Sequence, residues 1–134
     1  MRDAPDADNL LGTARDSLLA NILPVVAPAQ RREILMIANA IAIARRSLAA
    51  GEAPLLAELA ALRALYPQPG GGETRGLATD AELAALNARL VRDIRRGAFD
   101  APGGLRSTVE ALLREAVVHK LRENRPKLLG AETH

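Results

Sequence analysis

The sequence has no cysteine and no tryptophan, and it holds only one tyrosine, one phenylalanine, two histidines and two lysines. Without cysteine there is neither a disulfide framework nor a thiolate to act as metal ligand or nucleophile. Two aromatic rings are too few for the stacking platforms that hold nucleic-acid bases, sugars or quaternary ammonium groups. An excess of one charge is also missing. Eighteen basic residues face 16 acidic ones for a net +2, far from the one-sided basic surface of a nucleic-acid binder. The longest apolar run, Ile34 to Ala44, is about half of the ~20 residues a membrane span needs and reads as a buried helix instead. The lead Met1-Arg2-Asp3-Ala4-Pro5-Asp6-Ala7-Asp8 is acidic where a signal peptide is basic and then apolar. The expectation is a cytoplasmic protein that binds neither nucleic acid nor membrane.

What is present is alanine and leucine, about 37% of the 134 residues together, and these are the strongest helix formers. With few β-branched residues beside them, the fold class is all-α. A chain of this length buries roughly 68% of its unfolded surface and supports a core without disulfides or metal. A single domain over residues 1–134 is expected, built as a compact bundle of four to five helices.

Periodicity and caps place the helices. Leu10, Leu11, Ala14, Leu18 and Ile22 recur at helical spacing after Asp6 or Asp8, and Pro24 stops them. Pro28 opens a second helix near 29–50 that ends on Gly51. Because Ile34, Leu35, Met36, Ile37, Ile41 and Ile43 point all around its axis, this helix is expected to be central and buried by its neighbours. Pro54 begins a third, with the stripe Leu55, Leu59, Leu62 and Tyr66. A mobile loop is expected over 67–78, where Pro-Gly-Gly-Gly has no apolar period. Thr79 and Glu82 form a capping box for a fourth helix on Leu83, Leu86, Leu90, Val91 and Ile94, closed by Gly97. A fifth follows on Leu105, Val109, Leu112, Leu113, Ala116, Val117 and Leu121 until Pro126, and residues 127–134 are expected to fray.

Chemistry is sparse. The histidines are His119 and His134, with no metal-binding spacing between them, so no metal site or cofactor is expected. Glu115 and His119 stand one turn apart, a spacing that reads as a surface contact before it reads as an acid–base pair. Ser17, Ser47 and Ser107 lie in no nucleophile elbow, and Gly70 to Gly76 lack the lysine and the preceding strand of a phosphate loop. No catalytic residue is assigned. Arginine is the unusual usage. Guanidinium forks suit phosphate or carboxylate, although Arg89 with Asp93, and Arg106 with Glu110 and Arg114, read as solvated helix faces. Asn39 has the apolar helical neighbours Leu35, Ala42 and Ile43, so it is expected to be buried and in need of a partner.

Several segments together carry a resemblance: Leu10-Leu11, Leu35-Met36-Ile37-Ala38-Asn39-Ala40 leading into Ala44-Arg45-Arg46-Ser47-Leu48, Arg92 through Asp100, and Lys120-Leu121 with Pro126-Lys127. They resemble a small bacterial family of unknown function, encoded beside or fused to aminoglycoside-phosphotransferase-like kinases and acyl-CoA dehydrogenases. The family's tail carries Asn before the proline and an aromatic two residues after it, where this chain has Arg125 and Leu128. The resemblance implies an accessory module for a kinase-like or acyl-CoA-handling enzyme.

The leading expectation is therefore a helical accessory or interaction domain without catalysis of its own. The alternative is a small-molecule module in which Asn39, Arg45, Arg46, Arg92, Arg96 and Asp100 line an inter-helix pocket for a phosphate or carboxylate. The expected partner is a second copy in a homodimer or the kinase-like or dehydrogenase protein. Leu56 and Val118, on helices with apolar residues on more than one side, are the expected interface positions.

Overall fold

The structure, a computed structural model, describes residues 5–67 and 77–130. Among them it holds five α-helices and no strand: α1 Ala7–Ser17, α2 Pro28–Ala50, α3 Ala53–Leu65, α4 Leu77–Arg95 and α5 Gly104–Asn124. The all-α class follows directly from the composition. The chain divides into two units, Met1–Gly51 with Leu121–His134, and Glu52–Lys120.

In the first unit, the Asp6 carboxylate accepts from the Asn9 amide at 2.8 Å and caps α1. The helix widens into a π turn over Leu18–Ile22 before Pro28 takes the first turn of α2. α1 packs along α2, and Gly12 is its buried residue. A Cβ at Gly12 would stand 3.2 Å from Arg45 Cζ, so glycine lets the guanidinium lie against the α1 backbone. Long arginine side chains tie the unit together. Arg45 grips Asp8 through Nε at 2.7 Å and a terminal nitrogen at 3.1 Å, Arg15 donates to the Ala38 carbonyl at 3.2 Å, and Arg46 donates to the Glu123 carbonyl.

The expectation that α2 is surrounded by its neighbours is corrected. Ala38 is its one buried residue, while Leu35, Met36, Ile37 and Leu48 are exposed. The reason is geometric: α1, at 11 residues, covers one side of a helix of 23. Asn39 is exposed too, because it stands one residue beyond Ala38 and is turned ~100° away from that covered side.

The second unit has the conventional core. Leu59, Leu62 and Tyr66 of α3, Leu86 and Leu90 of α4, and Val109 and Leu112 of α5 are buried together, with Leu83 and Phe99 against them. The i, i+3, i+4 stripes seen in the sequence supply nearly all of these side chains. Helix α4 begins at Leu77, so Thr79 lies inside it and does not cap it. Glu82 instead forms a two-point ion pair with Arg63, at 2.8 and 2.6 Å. The other end of α4 is a Schellman cap: Ala98 donates to the Asp93 carbonyl, Gly97 donates to that of Ile94, and Gly97 sits at φ 78°. The sequence Gly70 to Gly76 and the tail from residue 131 lie outside the described residues; Pro126–Leu128 form a 3-10 turn.

Candidate functional site

Arg45 and Arg46 stand where α2 faces α1, and with Asp8, Arg15, Ala42 and Ala49 they line a cleft of about 440 Å³. The bond from Arg45 holds the Asp8 carboxyl below the usual carboxylate range and raises the guanidinium in turn. Three guanidinium groups and one carboxylate leave the lining with two positive charges. Arg15, which the sequence reading passed over, enters the set because α1 pairs with α2 across 23 residues of chain. Asn39 is not among the lining residues.

The remaining members of the expected ligand set belong to the second unit. Arg96 bonds Asp93 at 2.8 Å, Arg92 is exposed, and the Asp100 carbonyl accepts from Arg106 at 3.2 Å. Asp100 is tied into the turn after α4, its carboxylate close against Gly97 and its amide donating to the Gly97 carbonyl. This end of α4 reads as a helix stop.

A buried polar cluster lies beside it that spacing alone does not reveal. Asp93 is 7% exposed and accepts from the Tyr66 hydroxyl at 2.7 Å and from Arg96. Arg89, the sequence partner expected for Asp93, instead stacks over the Tyr66 ring at 4.2 Å. Burial, reinforced by the Asp93 carboxylate, pushes the Tyr66 hydroxyl up to about 12 against the opposing pull of Arg89 and Arg96. The pair is satisfied internally, and its role is to fix α3 against α4.

Glu115 and His119 line a smaller groove of about 160 Å³ with Ala57, Glu58, Ala61, Leu112 and Ala116. Asn87 donates to Glu58 there at 2.8 Å. Among the described residues no group of three His, Asp or Glu could hold a metal ion. Of the expected interface positions, Leu56 is exposed and Val118 is half-buried.

A longer apolar surface lies on α2. Met36, Ala40, Ala44 and Leu48 succeed one another at four-residue spacing, which makes one ridge along the helix, and Ile37 lies next to it. All five are exposed; Met36 is 63%, Ile37 42% and Leu48 54% exposed. Among the described residues no helix is long and apolar enough to cross a membrane. No curated protein and no solved structure matches the chain. A family model does match, over residues 24–128, which takes in α2 through α5. The chain belongs to the family described as Domain of unknown function (DUF6285).

Proposed function

We propose that this chain is a cytoplasmic helical accessory domain, without catalysis of its own, that docks on a phosphotransferase-like kinase or an acyl-CoA dehydrogenase. The observation that carries this reading is the exposed ridge Met36, Ala40, Ala44 and Leu48 with Ile37 beside it. Helix α1 covers one side of α2, and an exposed apolar ridge on another side of the same helix is the kind of surface a partner covers. Alanines within the ridge let a partner helix approach closely, and the large side chains at its ends would supply the buried area. Three of the arginines are held in ion pairs within the fold: Arg45 with Asp8, Arg63 with Glu82, and Arg96 with Asp93. The kinase-like or acyl-CoA-handling partner comes from the resemblance of the α2 and α4 segments to proteins encoded beside such enzymes.

The test is co-expression with such a kinase, and separately with such a dehydrogenase, encoded next to the chain. The wild type should co-elute with one of them on size exclusion, and Met36→Glu with Leu48→Glu should abolish this while leaving the helical circular dichroism unchanged. Sedimentation equilibrium of the chain alone separates the other occupant: a dimer broken by the same substitutions would show that the ridge meets a second copy. A monomer that retains neither enzyme would overturn the reading.

A further inference from the structure

We propose that the cleft between α1 and α2 is a binding site for the phosphate group of a small soluble molecule, held by Arg15, Arg45 and Arg46. The charge of the lining is the first argument. Asp8 offsets one of the three guanidinium groups and Asp16 also acts on Arg45, so the site keeps a net positive charge and three guanidinium forks, a donor set suited to the several oxygens of a phosphate.

The donors are the second. Arg15 and Arg46 each spend only Nε, on the carbonyls of Ala38 and Glu123, and among the described residues their terminal nitrogens make no other bond. Arg45 is held by Asp8 through Nε and one terminal nitrogen, which leaves the other terminal nitrogen without a partner among the described residues. Each arginine is thus anchored by one edge while keeping terminal N–H groups for a ligand. An anchored guanidinium loses less rotamer freedom on binding than a free one.

Gly12 is the third. It is a glycine inside a helix, where alanine is ordinarily the more favourable residue, and it is buried against the Arg45 guanidinium. A Cβ there would stand 3.2 to 3.3 Å from three atoms of that group. A side chain at this position would press on the Arg45 guanidinium, so glycine leaves that group the room it occupies beside α1. The small side chains of Ala42 and Ala49 keep the rest open, and about 440 Å³ lies within the range of small-molecule sites.

The test is a titration of the full chain with inorganic phosphate and with a soluble phosphate monoester, followed by amide chemical shifts at constant ionic strength. Saturable shifts on α1 and α2 are expected for both, with acetate at the same concentrations giving none. Arg46→Gln should weaken binding about tenfold, the loss of one charge-assisted contact. Because that change also removes the bond to Glu123, Ala49→Leu is the second variant. It fills the cleft without altering a charge and should reduce binding while leaving thermal stability in place. Equal responses to acetate and phosphate, undiminished binding by Ala49→Leu, or binding to phosphatidic-acid vesicles with none to the soluble phosphates would each overturn the proposal.

Discussion

The hydroxyl of Tyr66 donates to Oδ2 of Asp93 at 2.7 Å, joining the end of α3 to α4 through a pair that is buried in both members. Ionising the phenol would place two negative charges at that distance inside the unit. Burial first, and the bond and charge of Asp93 second, raise the Tyr66 hydroxyl to about 12, where an exposed tyrosine releases its proton near pH 10.

The first prediction uses the fact that Tyr66 is the single tyrosine and that there is no tryptophan. The phenolate absorbance near 295 nm reports this one group. In the native chain it should rise near pH 12, and in denaturant near pH 10. A folded pKa above the unfolded one means that the stability from this group is complete below about pH 10 and is lost as pH climbs from there toward 12. Asp93→Ala should move the native titration downward.

A second prediction contrasts two apolar side chains. Leu62 is fully buried at the centre of the α3–α4–α5 core, and Leu62→Ala should destabilise by about 2–5 kcal/mol in urea melts. Ile37, on the exposed side of α2, should lose well under half of that when changed to Ala.

Third, Gly97→Ala should be destabilising by roughly 1–2 kcal/mol, the order of the left-handed penalty for an L-residue. Gly97 sits at φ 78°, and a Cβ there would be 2.7 Å from Asp100 Oδ2. Two causes act together, and a second substitution separates them. Adding Asp100→Ala removes the clash and should recover part of the loss; the backbone strain remains. Thermal melts of the two variants beside the parent measure both parts.

Fourth, the Asp8–Arg45 and Glu82–Arg63 pairs make stability fall on the acid side. Both carboxyls are held below their ordinary values, chiefly by the arginine hydrogen bond. Their contribution is therefore present above the unfolded carboxylate pKa, about 4, and is lost as pH drops through the lower folded values. Asp8→Asn with Glu82→Gln should show a smaller drop in melting temperature between pH 5 and pH 2 than the parent. Both pairs are solvent-accessible, so 1 M salt should also shrink the parent's drop.

Much of the second unit was legible in the sequence, and the reason is specific. Leu59, Leu62 and Tyr66 share a side of α3 by spacing alone, as do Leu86 and Leu90 on α4 and Val109 and Leu112 on α5. A core made of one stripe from each helix is recoverable from three local patterns. Pro28, Gly51 and Gly97 likewise mark helix ends through the conformation of single residues. Thr79 does not mark the start of α4, which begins two residues earlier at Leu77, and Glu82 pairs with Arg63 of another helix, a partner that local spacing does not show.

The candidate site was legible only in part. Arg45 and Arg46 were visible as an arginine pair near the end of an apolar helix, but the partners that orient them, Asp8 and the Glu123 carbonyl, lie 37 and 77 residues away. Arg15 carried no signal at all. Asp93 resembled one half of an ordinary i,i+4 surface pair until Tyr66, 27 residues distant, took its carboxylate.

What the sequence determined by itself is whatever depends on neighbours within about one helical turn: the all-α class, the helix bounds to within a few residues, and the inward stripes of α3, α4 and α5. Tertiary structure alone decided how far each helix is covered. Hydrophobic residues all around α2 require contact on every side but do not provide it; α1 is long enough to cover one side, so Ala38 is buried while Met36, Ile37 and Leu48 face outward. Helical periodicity sets where side chains stand around an axis. Which of those directions meets another helix depends on lengths, crossings and rotations, and these arise only when the helices pack.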